Sequence, residues 1–163
     1  MTKTVLITGA AHRIGRAVAL GLAEDGWQIV IHYSNSENAA NELAQIITDK
    51  GGDAKTLQAN LGDAGETSSL ISRAMETVGP LSALINNASV FERDEVATLT
   101  DDSWDMHLNV NLKAPAILMR DFAKQAQAGG NIINIIGHRV WRLNPDFISY
   151  TVSKTGLWTL TQT

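Results

Sequence analysis

Short apolar runs alternate with amphipathic stretches from the first residues of the chain. Residues 4–8 read as a buried strand ending at Gly9, and residues 27–32, 54–58, 81–86 and 131–136 read as four more. Residues 14–24 carry Ile14, Val18 and Leu22 at helical spacing, and Gly26 stops them. Ser36 is placed to cap a helix over 37–50 that Gly51-Gly52 ends, and Asp63 to cap one over 64–78 that Gly79-Pro80 closes. A long helix is expected from Thr100 to about Ala128, with Asp101 and Asp102 favourable at its positive end. A last helix begins near Ser149 and carries Tyr150 and Lys154. Strands alternating with helices predict an α/β fold, a doubly wound parallel sheet with helices on both faces.

With 163 residues, one domain over the whole chain is expected. Apolar residues make up 44% and charged residues 18%, a globular balance. The net charge of −4, with no basic tract, argues against a nucleic-acid partner. With no cysteine and four histidines out of ligand spacing, no metal site is expected. The first apolar run is too short for a signal peptide or a membrane span, so a soluble cytoplasmic protein is the expectation. The chain stops inside an unfinished helix at Thr159-Leu160-Thr161-Gln162-Thr163, with nothing after it to cover the fifth strand's outer edge. A truncated chain is the reading.

Chemistry enters at two places. Thr8-Gly9-Ala10-Ala11-His12-Arg13-Ile14-Gly15 joins the first strand to the first helix, where a doubly wound sheet binds a dinucleotide. Gly9 permits the turn, Gly15 permits close packing of helix on sheet, and N–H groups at the helix start would face a pyrophosphate. Tyr150 and Lys154 stand four apart, hence on one helix face. A lysine beside a phenol favours the phenolate and would lower the tyrosine pKa, preparing it for proton transfer at a carbonyl.

The glycine loop, Asn86-Asn87-Ala88-Ser89, Asn111 in the long helix and the Tyr150/Lys154 pair stand in the order and approximate spacing of the short-chain dehydrogenase/reductase family, which the whole chain resembles. Arg13 in the loop and Phe91 resemble its pteridine reductase and dihydromonapterin reductase branch. The resemblance implies a Rossmann-like fold and an oxidoreductase in which Tyr150 is the acid/base and Lys154 lowers its pKa and binds the nicotinamide ribose. It further implies that Asn111 holds a water relay, and that Asn87, Ala88 and Ser89 line the cofactor. Asn60-Leu61 matches the adenine-side position. Family members often form homodimers or homotetramers, and a small-molecule substrate is implied.

The second strand leads into His32-Tyr33-Ser34-Asn35-Ser36, with no acid to take a ribose 2′-hydroxyl. Arg13 supplies positive charge and Ser34 and Ser36 supply hydroxyls beside Asn35, which predicts NADP(H). The alternative is Arg13 as a solvated charge and Ser36 as a helix cap alone. Thirteen residues before Tyr150, where the family carries Ser or its pteridine branch Asp, stands Gly137. His138 or Arg139 is a possible substitute; an adjacent strand residue faces the other way, so that needs a turn. Phe91, beyond the fourth strand, is placed to stack on a flat substrate or simply to fill a core.

Three functions remain open. The first is NADP(H)-dependent reduction of a pterin-like or small carbonyl or imine substrate. The second is generic carbonyl or 3-oxoacyl reduction. The third is NADP binding with impaired catalysis, suggested by Gly137 and the abrupt end.

Overall fold

The computed structural model describes residues 3–126 and 129–163. The five strands are β1 Thr4–Ile7, β2 Gln28–Tyr33, β3 Ala54–Gln58, β4 Ala83–Asn86 and β5 Asn131–Asn134. All neighbours pair in parallel, in the order β3-β2-β1-β4-β5. The chain steps outward from β1 to β3, then crosses back to build the other half from β4. The crevice between β1 and β4 is therefore a switch point, the place where such sheets bind ligands.

Alternation along the central strands divides the core. Val5, Ile7, Ile29, Ile31 and Ile85 face one layer with Leu43 and Ile47. Leu6, Val30 and Leu84 face the other, with Leu70, Leu118 and Phe122. The first layer is covered by α1 Arg13–Glu24 and α2 Glu37–Asp49, the second by α3 Ala64–Val78 and α5 Ala114–Gln125. α4 Asp101–Leu108 precedes α5, and α6 Ile148–Gln162 follows β5.

The expected cap at Asp63 forms, accepting from Glu66 N at 2.8 Å, and Thr100, where the long helix begins, caps it by accepting from Ser103 N at 3.2 Å. Ser36 precedes α2 but its side chain caps nothing. The expected long helix is broken by a π-helical turn, Asn109–Lys113, between α4 and α5. Pro115 explains the break, because it has no N–H to give the Asn111 carbonyl four residues back and its ring crowds that oxygen. The expected end near Ala128 lies outside the described residues. β5 is shorter than expected, leaving Ile135 and Ile136 to lead out of the sheet into the cleft. Among the described residues, no helix is long and apolar enough to cross a membrane and no cluster of side chains is suited to a metal.

Candidate active site

A cleft of about 1040 Å³ opens along the carboxyl ends of the strands. Its first wall is the β1–α1 loop. Gly9 has φ +62° there, and a Cβ on it would lie 2.9 Å from Ala88 Cα, so a side chain is excluded twice over. A Cβ on Gly15 would lie 2.6 Å from the Gly9 carbonyl, and Gly15 is buried behind the wall rather than part of it. Arg13 and Ile14 line the cleft at the start of α1, whose positive end faces it. Arg13 has φ +49° and takes part in none of the ion pairs among the described residues.

The loop is held by a residue the sequence reading passed over. His32 at the end of β2 is buried, and its Nδ1 accepts from Gly9 N at 3.1 Å. Its carbonyl accepts from Ala10 N at 3.0 Å. An acceptor at Nδ1 requires the proton at Nε2, which donates to the Ala59 carbonyl at 3.0 Å. The N–H groups of Gly9 and Ala10 are thus already used by the protein, and only groups farther along the loop are left for a pyrophosphate. Burial pushes the His32 pKa down to about 4, opposed by the bond to Ala59 and assisted by Arg73. One neutral imidazole joins the glycine loop to the β3 exit.

The second wall carries Ser34, Asn35 and Ser36 after β2, and Asn60 and Leu61 after β3. No carboxylate stands among them. Asn60 Oδ1 accepts from Gly62 N at 2.9 Å, closing a local turn. Asn87, Ala88 and Ser89 line the third wall. Asn87 Nδ2 donates to the carbonyls of Thr8 and Gly9 at 2.9 and 3.1 Å, so its amide staples β4 to the glycine loop.

Tyr150 and Lys154 face the same cleft from the first turns of α6, as their spacing predicts. Their electrostatics differ from the expectation. Lys154 Nζ donates to the Ile135 carbonyl at 3.0 Å and stands 6.0 Å from the Tyr150 ring centre. Burial brings its pKa down to about 8. The Tyr150 pKa lies above its ordinary value because burial outweighs the pull of a cation, and that cation is Arg139. The Tyr150 pKa is thus raised where a lowered one is expected.

Asn111 is not on the wall. It is fully buried in the π turn, where Oδ1 accepts from Val90 N at 2.9 Å and Nδ2 donates to Val90 O and Ser153 Oγ at 3.0 and 3.1 Å. Both amide hydrogens are spent, so the side chain clamps the loop after β4 to α6.

Asp94 makes a second clamp that has no sequence signature. It is buried, its Oδ1 accepts from Ser149 N at 3.2 Å, and its Oδ2 accepts from Ser103 Oγ at 3.0 Å. Its carbonyl accepts from Phe147 N at 2.8 Å. Burial opposes its ionisation, but hydrogen bonds from Ser149 and Ser103 outweigh burial and hold the carboxyl below its ordinary value. Phe147, with φ +62°, turns the chain sharply into α6. Phe91 stacks on Phe147 at 4.3 Å and meets Tyr150 edge-on at 4.7 Å, yet remains 54% exposed toward the cleft.

Gly137 and His138 line the cleft beside Tyr150. A Cβ on Gly137 would stand 2.6 Å from the tyrosine hydroxyl. The hydroxyl thus rests on the bare glycine, in space that any side chain there would contest. His138 and Arg139 do sit in a turn, a 3₁₀ segment over His138–Val140, which returns both to the cleft wall.

Known proteins share this arrangement. The short chain dehydrogenase family model matches residues 3–163. The chain is 33% identical over 164 residues to 3-oxoacyl-[acyl-carrier-protein] reductase FabG of Staphylococcus aureus, covering 99% of this chain and 67% of that one. Its structure is similar to that of FolM Alternative dihydrofolate reductase 1 from Brucella suis in complex with NADP, with a TM-score of 0.92 and 42% identity over 98% of this chain and 67% of that one. It is also similar to a short chain dehydrogenase from Burkholderia cenocepacia J2315 in complex with NADP, with a TM-score of 0.94 and 32% identity over 98% and 66% of the two chains. The chain thus spans about two-thirds of the length of these relatives. A match that runs from the first strand through the tyrosine helix, together with the shared fold, places this chain in the short-chain dehydrogenase family.

Proposed function

We propose that this chain serves an NADP(H)-dependent reductase acting on a pterin-like or other small carbonyl or imine substrate, with Tyr150 as the proton donor. The observation that carries this reading is that Tyr150, the glycine loop with Arg13 and a β2 exit without a carboxylate all line one cleft. The cleft fits the cofactor chemically. The space denied to a side chain at Gly9 and the positive end of α1 suit a pyrophosphate. Arg13, with Ser34, Asn35 and Ser36, suits a 2′-phosphate, which a carboxylate at this place would repel. Asn60 and Leu61 suit the adenine side, and Asn87, Ala88 and Ser89 suit the approach to the nicotinamide.

When bound, NADPH supplies the hydride. The chain's own residues manage the proton. Burial raises the Tyr150 pKa, which favours the protonated form a donor needs. Lys154, brought down to about 8, keeps most of its charge near neutral pH and stands where ribose hydroxyls would be held. Phe91, stacked on Phe147, and Tyr150 give the substrate end an aromatic lining suited to a flat heterocycle. The 42% identity to a FolM alternative dihydrofolate reductase supports the pterin class, while the 33% identity to FabG favours 3-oxoacyl reduction as the second reading. Gly137 keeps a third reading alive, NADPH binding without turnover.

NADPH consumption followed at 340 nm with dihydropterins and with 3-oxoacyl thioesters separates these. Turnover with dihydropterins and none with the thioesters is expected. The reverse result overturns the pterin class, and NADPH binding with no turnover on either class moves the protein to the binding-only reading.

A further inference from the structure

His107 lies fully buried in the last turn of α4, and no step of the proposed reaction uses it. Its Nδ1 stands 2.7 Å from the Ser103 carbonyl, one turn back along the same helix. A carbonyl only accepts, so Nδ1 carries a proton and donates there. Its Nε2 stands 3.1 Å from Glu92 N. A backbone N–H only donates, so Nε2 is bare and accepts. Two independent partners thus require the same form of the ring, a neutral imidazole with its proton on Nδ1.

What the ring holds is the backbone beside Phe91. Between β4 and α4 the chain forms neither strand nor helix, so its course there depends on side-chain bonds. Asn111, four residues after His107, takes Val90 N at 2.9 Å and gives to Val90 O at 3.0 Å. His107 takes Glu92 N. The residues on either side of Phe91 are therefore both held from the same helical stretch. Asn111 alone would leave the chain free to pivot beyond Val90; the bond to Glu92 closes that freedom. Phe91 stands between the two holds, lines the cleft, and shows a half-exposed ring to it while packing on Phe147 and Tyr150.

We propose that His107 is the positioning residue for Phe91: through its single bond to Glu92 N it sets the ring face that the cleft offers to a flat substrate. It touches neither substrate nor cofactor and acts only through the loop. This rests on the reading of Phe91 as the surface on which the substrate stacks, but the hold on the loop is measurable without any substrate. The two ring nitrogens can be separated by substitution. Asn at 107 keeps a donor for the Ser103 carbonyl and is too short to reach Glu92. Gln places an acceptor oxygen about as far out as Nε2.

The experiment measures dihydropterin binding to the NADP⁺-loaded chain, where no hydride is available to it. His107→Asn is expected to weaken that binding by about 3- to 10-fold, the worth of one aromatic contact, with NADP⁺ affinity unchanged. His107→Gln should recover most of the loss. In a Phe91→Ala background, His107→Asn should cost nothing further, because the two residues act as one unit. Unchanged dihydropterin affinity in His107→Asn overturns the proposal. So does an equal loss in His107→Gln, or a full extra loss in the Phe91→Ala background, since His107 would then act by another route. If the parent chain binds no dihydropterin, the pterin reading fails, and amide exchange decides the inference. Faster exchange at Glu92 with a shifted Phe91 ring resonance in His107→Asn, and neither in His107→Gln, supports it; no difference between the variants overturns it. Should His107→Asn fail to fold, nitrogen-15 NMR of the parent decides. A coupling across the Glu92 N–H to Nε2 bond is expected, and a proton on Nε2 overturns the proposal.

Discussion

Two side chains at the glycine-loop end of the cleft are open to a direct test. Arg13 lines the same cleft as the β2 exit, which carries no carboxylate. If it holds a 2′-phosphate, Arg13→Ala weakens NADPH binding by about 10- to 100-fold, the worth of a charge-assisted contact, and leaves NADH binding nearly unchanged. Fluorescence titration with both nucleotides checks this; equal losses for the two would remove Arg13 from phosphate recognition. His32 gives a pH signature. Its folded pKa of about 4 lies below the ordinary 6.5, so the unfolded chain binds the extra proton first as pH falls. The associated stability is complete above pH 6.5 and is lost between there and pH 4, on the order of 3 kcal/mol in all. Urea unfolding at pH 7 and pH 4.5 should show that loss in the parent chain and much less of it in His32→Asn. Identical pH slopes would contradict the neutral brace. The sequence displays Arg13 and the missing acid openly, because both belong to one local motif. It hides His32, which looks like any strand residue until Gly9 and Ala59 are brought to its two ring nitrogens.

At the level of elements, the tyrosine helix is positioned by clamps and not by its own sequence. Phe147 enters α6 in a left-handed conformation, with no side-chain cap of its own. The capping acceptor comes from Asp94, in the loop that also carries Phe91. Asp94→Ala removes that acceptor one residue before Tyr150. The expected costs are roughly 2 kcal/mol of stability and a fall in kcat larger than any change in NADPH affinity. Thermal unfolding together with a kcat and KM(NADPH) comparison tests this, and an unaltered kcat in a folded variant would show that the clamp does not position Tyr150. Periodicity located the five strands and most helices because their apolar faces are local. It missed the π turn, although Pro115 was the visible signal inside the long helix, and it misjudged Ser36, which has the right residue type but makes no capping bond. The Asp94 clamp joins residues 55 apart along the chain, and no local pattern records such a contact.

For the molecule as a whole, the parallel sheet sets β1 and β4 side by side and opens one cleft over both. The glycine loop enters from β1, Asn60 and Leu61 from β3, and Tyr150 from α6. Alternating strands and helices make this architecture legible in the sequence alone. The charge balance around Tyr150 was not legible, since it depends on which way Lys154 and Arg139 turn. The account stands on Tyr150 acting in the same cleft that takes NADPH. The most direct test is single-turnover NADPH oxidation with a dihydropterin, comparing the parent chain with Tyr150→Phe after NADPH binding has been verified for both. Unchanged binding with a rate at least about 100-fold lower in Tyr150→Phe is predicted, in the range expected for losing a general acid. Equal rates in the two proteins would contradict the central claim.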